Sequence, residues 1–188
     1  MKLAGRRRLR YQVIQLSKGV PRYEAGVKLD RIDIRILHEL QRNGRLTNVE
    51  LAELVYLSPS PCLMRVKKLQ QAGYILGYSA HIDLAKLGAT VTVFTEVTLK
   101  KHRQHDFACF QQAIEKVDEA IECHLISGGY DYLVKFVTVS ISAYQELMER
   151  LTESDIGIDK YFSFVVMKSP VVKHHLPLKK FFADRHDG

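Results

Sequence analysis

The stretch Thr47-Asn-Val-Glu-Leu-Ala-Glu-Leu-Val-Tyr-Leu-Ser-Pro-Ser-Pro-Cys-Leu-Met-Arg-Val-Lys-Lys-Leu-Gln-Gln-Ala-Gly73 constrains this chain more than any other. It reads as two short helices joined by the turn Tyr56-Leu57-Ser58. Thr47 with Glu50 three residues on forms a capping box. Leu51, Leu54 and Val55 then supply one apolar face. Ser58 is placed to cap the second helix, and Pro59 takes the first helical position, where a missing N–H costs nothing. At 100° per residue, Cys62, Leu63, Val66, Leu69 and Gly73 share the packed arc. Ser60, Pro61, Met64 and Lys68 share the opposite arc, flanked by Arg65 and Lys67. An ordinary amphipathic helix with a solvated basic face has the same pattern. The paired caps, short turn and small polar tip favour a helix that enters a DNA major groove.

A third helix precedes these two. Asp30 caps it, and Asp30 and Asp33 favour the positive end of its dipole. Ile32, Ile36, Leu37 and Leu40 form its buried stripe, and Asn43-Gly44 ends it. After the second helix of the pair, two short β-prone runs flank Gly77 and predict a hairpin wing. Residues 29–80 thus read as a winged helix-turn-helix.

A linker, residues 81–89, separates this from a second module, 90–170, with the pattern β-α-β-β-α-β. Thr90–Leu99 alternates in a β-branched run. Phe107, Phe110, Ala113, Ile114 and Val117 keep helical spacing. Ala120–Ile126 and Asp131–Val137 are strands on either side of Ser127-Gly128-Gly129. Ile141, Tyr144, Leu147, Met148 and Leu151 mark a second helix, with Ser140 or Ser142 near its start. Tyr161–Met167 is the last strand. Two helices on one face of an antiparallel sheet make an α+β, ferredoxin-like sandwich. The adjacent glycines have two readings: a tight hairpin that needs φ > 0, or a backbone nest for a carboxylate. In the second reading Asp131 is an acceptor for the ammonium of an amino acid.

The charge is uneven. Residues 1–28 hold eight Lys/Arg and one Glu, whereas the remaining chain holds twenty of each sign. The basic excess therefore lies in an N-terminal extension, expected to be disordered, and not in a basic globule. Arg6-Arg7-Arg8 and Arg10 are suited to non-specific phosphate contact. Val27-Lys28-Leu29-Asp30 also resembles a translation start. No apolar run approaches the ~20 residues of a membrane helix, and no secretory signal is legible. The three cysteines, Cys62, Cys109 and Cys123, lack metal or disulfide spacing and are expected as buried thiols in a reducing cytoplasm.

Residues 29–82 resemble the DNA-binding half of the leucine-responsive regulator/AsnC (Lrp/AsnC) family. The strings that carry the resemblance are Leu57-Ser-Pro-Ser-Pro-Cys-Leu63, Arg65-Val66 and Gly73-Tyr-Ile. It continues to about residue 172 through Glu122-Cys-His-Leu125 and Ser127-Gly-Gly-Tyr-Asp-Tyr-Leu133. One departure is Tyr56, where the family usually has Gly. If left-handed, a side chain there costs roughly 1–2 kcal/mol. The resemblance implies an oligomerising, effector-binding regulator-of-amino-acid-metabolism domain, a homodimer formed through the sheet, and octamers built from dimers. It places amino-acid effectors at the Gly128-Gly129 hairpin between dimers, with Leu125, Asp131, Ile141 and Phe164-Val165-Val166 setting the response. The string Lys168–Phe182, after Ile158-Asp-Lys-Tyr-Phe, resembles the subgroup that controls proline catabolism, and residues 171–188 read as a C-terminal tail. A small apolar amino acid, proline among them, is the expected effector.

Other constellations are weaker. His102-x-x-His105 has metal-pair spacing on a helix but sits in a Lys/Arg-rich connection. Cys123 and His124 point to opposite faces of a strand and cannot share a metal. His174-His175 lies in a polar tail, expected exposed. No nucleophile–base pair, P-loop or dinucleotide fingerprint is present, so neither an enzyme nor a resident cofactor or metal is expected. The expectation is a cytoplasmic, nucleoid-associated transcription regulator that binds double-stranded DNA. A ligand-independent architectural DNA-binding protein is the alternative.

Overall fold

The computed structural model describes residues 29–182; the basic extension, residues 1–28, lies outside them. The chain forms two compact units. Among the described residues, one unit joins residues 29–81 with 171–182, and the other spans Ile82–Pro170.

The first unit holds α1 (Arg31–Arg42), α2 (Asn48–Val55), α3 (Pro59–Gln71) and, far along the chain, the short α6 (Leu178–Phe182), numbered in chain order. Asp30 caps α1 through the Asp33 N–H at 2.8 Å, and Asp33 returns a bond to the Asp30 N–H, closing a capping box. Thr47 and Glu50 form the expected box on α2. The Thr47 bonds hold the Glu50 carboxyl below its usual range. Ile36, Leu40, Leu51, Ala52, Val55, Cys62 and Leu69 make the core of this unit. Tyr56 is left-handed, at φ 59° and ψ 46°.

Three expectations need correction here. Leu54 and Leu63, assigned to packed arcs, are 47% and 41% exposed. The core closes without them on Ile36, Leu40, Leu51, Ala52, Val55, Cys62 and Leu69. Ser58 occupies the N-cap of α3 but makes no side-chain cap bond. Pro61, at the third helical position, removes one of the two N–H donors such a cap can use. The hairpin around Gly77 is absent; residues 75–80 carry no strand pairing, and Leu76 is 97% exposed. A two-stranded ribbon with no apolar cover is marginal in water.

The second unit opens with a one-turn 3-10 helix, Leu84–Lys86, and continues β1 (Val91–Leu99), α4 (Gln104–Ile114), β2 (Ala120–Leu125), β3 (Tyr132–Thr138), α5 (Ile141–Glu153) and β4 (Ile158–Val165). The sheet is antiparallel in the order β2-β3-β1-β4, so the expected ferredoxin-like arrangement is present. Ser140, not Ser142, caps α5 through the Ala143 N–H. β4 starts at Ile158, earlier than Tyr161, because Ile158 pairs with Leu99 across a bulge and buries its side chain.

Alternation places Val93, Thr95, Val97 and Leu99 of β1 against α4 and α5, with Tyr132, Val134 and Phe136 of β3 beside them. The one buried hydroxyl on β1, Thr95, is satisfied by Tyr144 at 2.8 Å. Burial pushes the Tyr144 phenol up. Among the described residues, no layer covers the opposite face of the sheet. That face presents Phe94, Leu133 and Val137 at the centre and Phe162 and Phe164 on β4, which are 59% and 54% exposed. Among the described residues, no helix is long and apolar enough to cross a membrane.

The cysteines depart from expectation. Cys62 is buried, whereas Cys109 and Cys123 are exposed as residues of a single protomer. Desolvation nevertheless pushes the Cys123 thiol up to about 11, leaving almost no thiolate at neutral pH.

Candidate DNA-reading helix and effector hairpin

α3 projects the expected arc outward. Ser60, Pro61, Met64, Lys67 and Lys68 are all exposed, Met64 to 64%. The tip is low in relief, because the two prolines and two serines at its start carry short side chains. Asn48 of α2 donates to the Pro59 carbonyl at 2.7 Å and ties the two helix starts together.

Arg65 is placed differently from its five neighbours. Its Nη1 donates to Asp30 at 2.6 Å and to Asp33 at 2.7 Å. The Asp33 side chain is only 7% exposed. Burial raises the Asp30 carboxyl, but the Asp33 N–H and the Arg65 guanidinium outweigh it and hold it below the usual range. The two carboxylates in turn raise Arg65. The guanidinium is therefore engaged in locking α3 onto the start of α1. Sequence spacing shows Asp30 and Asp33 as helix-capping acids; a partner more than thirty residues away leaves no periodic signal.

The turn adds a second pair that sequence reasoning missed. The Arg35 guanidinium lies over the Tyr56 ring, 5.3 Å from its centroid. Tyr56 is 84% exposed, so this contact offsets only part of the left-handed strain.

In the other unit, Gly128 and Gly129 sit in the bend between β2 and β3. Neither has a positive φ, so the tight-turn need for glycine is not what places them there. A Cβ on either would meet open space. Beside them, the Asp131 N–H donates to the Val97 carbonyl and the Ile126 N–H to the Asp131 carbonyl, both at 2.9 Å. Asp131 Oδ2 accepts from the Leu99 N–H at 2.8 Å and pairs with His102 Nε2 at 3.0 Å. Oδ1 has no hydrogen bond among the described residues. The carboxylate is thus anchored by one oxygen and open at the other. His102, read in the sequence with His105 as a weak metal pair, here fixes that carboxylate.

The remaining effector candidates are not gathered at the hairpin within one protomer. Leu125 ends β2 beside it and is 44% exposed. Phe164 and Val165 pair with Phe94 and Val93 toward the start of β1, whereas Asp131 bonds Val97 near its end. That is about 10 Å along the strand, and β4 lies on the opposite sheet edge from β2. Val166 continues from β4 and donates to the Thr92 carbonyl. Ile141, 51% exposed, starts α5 after the far end of β3. Leu125 and Asp131 therefore sit together at the hairpin, whereas Phe164-Val165-Val166 and Ile141 lie elsewhere in the unit.

Comparison with known proteins agrees with both halves. Residues 29–75 match the winged helix-turn-helix DNA-binding family, and residues 92–176 match the Lrp/AsnC ligand binding domain. The chain is 42% identical over 143 residues to the transcriptional regulatory protein DoeX of Halomonas elongata, covering 76% of this chain and 90% of that one. It is also 42% identical over 154 residues to the leucine-responsive regulatory protein of Escherichia coli K12, covering 82% and 94%. A transcriptional regulator from Neisseria meningitidis, crystallised as a complex with L-Met, is similar at a TM-score of 0.76 and 34% identity, over 82% of this chain and 99% of that one. An AsnC family transcriptional regulator from Agrobacterium tumefaciens gives a TM-score of 0.75 at 31% identity, over 81% and 99%. With a helix-turn-helix unit, a ligand-binding α+β unit and these relatives, the chain belongs to the Lrp/AsnC family and is a DNA-binding transcription regulator, not an enzyme.

Proposed function

We propose that this regulator reads a specific DNA site through Ser60, Pro61, Met64, Lys67 and Lys68 on α3, and responds to a small apolar L-amino acid held at the β2–β3 hairpin of associated protomers. Arg65 is reassigned from base reading to holding α3 in place. The observation that carries the effector reading is the half-engaged Asp131 carboxylate beside two glycines with open space above them. Gly128 and Gly129, with no side chain, let a ligand carboxylate approach the backbone closely, and Asp131 Oδ1 suits an ammonium. Within one chain the hairpin is separated from Phe164-Val165-Val166, which lie on the opposite sheet edge; a second protomer would bring that apolar surface to it. The L-Met complex of the Neisseria meningitidis relative supports an amino acid as the ligand class.

The same reading makes the protein a homodimer that buries the open sheet face, and a larger even assembly where hairpins of neighbouring dimers meet. In cells it resides with the DNA it regulates. L-Methionine, L-leucine and L-proline are the first ligands to titrate by calorimetry, followed by the other common amino acids. Asp131→Asn keeps an acceptor for the Leu99 N–H and removes the charge. It is expected to bind roughly ten- to hundred-fold more weakly, the equivalent of about 1.5–3 kcal/mol for a charge-assisted bond. Equal binding by the variant, or no binding of any amino acid by the wild type, contradicts the effector assignment.

A further inference from the structure

The sequence places residues 171–188 as a tail beyond both domains. The described part of it instead belongs to the DNA-reading unit. The Gln41 side chain clasps Leu176 like a strand partner: its Nε2 donates to the Leu176 carbonyl at 2.6 Å, and its Oε1 accepts the Leu176 N–H at 2.9 Å. Lys179 pairs with Glu39 at 3.0 Å, and the Glu39 side chain is only 19% exposed. The rings of His81 and His174 stack with centroids 4.1 Å apart. Pro177 leads into α6, whose amides at Lys180 and Phe181 return to its carbonyl. Three interactions of different chemistry, the amide clasp, the ion pair and the ring stack, thus seat one segment against α1 and the end of the helix-turn-helix.

α1 is the element these contacts share with the recognition helix. Its first turn and N-cap hold Arg65 of α3 through Asp33 and Asp30. Its last turns hold the tail through Glu39 and Gln41. The tail follows β4 directly, with five residues, Val166–Pro170, between them. The DNA-reading unit is therefore connected to the other unit by two covalent passages, one at residues 81–82 and one at residues 170–171.

We propose that Val171–Phe182 is a strap which holds α1, and through it the Arg65-anchored recognition helix, in the DNA-reading position, and which links that position to β4. The strap goes beyond the effector reading and does not depend on it for its effect on DNA binding. When seated it favours binding; when released it loosens α1 and α3.

The test uses the full chain and a DNA site selected from a random pool by the wild-type protein. Gln41→Ala removes both clasp bonds without changing charge. Glu39→Lys breaks the ion pair and adds positive charge near DNA, which by simple electrostatics tightens binding. The strap predicts the opposite sign: both variants bind the selected site about two- to five-fold more weakly, the range of a partly exposed pair. The charge-swapped pair Glu39→Lys with Lys179→Glu recovers wild-type affinity. Hydrogen exchange follows the same variants without DNA, and faster exchange is expected in residues 171–182, in α1 and in α3. If exchange shows a freed tail while α3 exchange and DNA affinity stay at wild-type values, the proposal is overturned. Tighter binding by Glu39→Lys overturns it as well. Selection of no sequence by the wild type contradicts the DNA-reading assignment instead, and α3 exchange still decides the strap.

Discussion

Arg65 and Lys68 are both cations on α3, yet they are placed differently. Lys68 is exposed and free for a phosphate or base edge. Arg65 holds two carboxylates, one of them nearly buried. Lys68→Ala is expected to weaken DNA binding without lowering thermal stability. Arg65→Ala is expected to destabilise the helix-turn-helix by about 1–2 kcal/mol, because it leaves Asp33 unpaired in a poorly solvated place. It should weaken binding to all sequences alike. Paired thermal melts and footprints separate the two; an altered sequence preference in Arg65→Ala at full stability returns Arg65 to the groove. Tyr56 gives a change of opposite sign. Tyr56→Gly relieves the left-handed strain and loses the Arg35 contact, for a net stabilisation of about 0.5–1 kcal/mol. A lower melting temperature in that variant refutes the strain argument.

His38 on α1 carries a pH dependence. Burial, and then the charge of Lys179, hold its pKa below the ordinary 6.5, with Arg42 and His175 adding to this and Glu39 opposing it. Its Nδ1 is buried with no hydrogen-bond partner. The folded unit therefore favours the neutral ring, while the unfolded chain takes a proton near 6.5. This contribution to stability is fully present above that pH and declines as pH falls below it, through the lower folded value. Denaturant melts between about pH 7.5 and 5.5 should show the decline, and His38→Gln should remove it; a slope unchanged in the variant contradicts the assignment.

At the scale of elements, the sequence was most legible where local signals repeat. The capping box on α2, the alternation of β1 and the helical spacing of α5 depend on neighbours a few residues apart, and each element stands where those neighbours place it. What was not legible depends on residues far apart in the chain. The clasp of Gln41 on Leu176 and the pairing of Arg65 with Asp30 and Asp33 leave no period to read. The absent cap bond at Ser58 was within reach, since Pro61 has no amide to give. The hairpin at Gly77 failed because β-prone residues need a partner strand as well as propensity. The candidate effector residues were read as one group because the resemblance supplied them as one. The strand order divides them between two ends of a sheet. The proposed association of protomers is what would bring them together. The open sheet face carries that expectation: Phe162→Glu should place a charge on the apolar surface of Phe94 and Phe164 and shift the protein toward monomers by light scattering. An assembly unchanged in size locates the interface elsewhere.

The whole molecule joins a DNA-binding unit and a ligand-binding unit in one chain. The first has an exposed, low-relief tip on α3, and α3 is tied to α1. The second has a hairpin with one carboxylate oxygen free of hydrogen bonds and, among the described residues, an uncovered sheet face. Bases concentrated in residues 1–28 add charge without sequence information. They are expected to steepen the salt dependence of binding equally on all DNA. The central claim is that α3 reads sequence and that an amino acid held in the other domain alters that reading. One experiment tests both parts: DNA selection and footprinting with wild type, Ser60→Ala and Lys68→Ala, each with and without the amino acid that binds by calorimetry. The account predicts a protected pseudo-palindrome with half-sites about one or two helical turns apart. It predicts a changed preference for Ser60→Ala, weaker binding for Lys68→Ala, and a shift in wild-type affinity when the amino acid is added. Identical footprints and affinities for all three proteins, indifferent to the ligand, would contradict it.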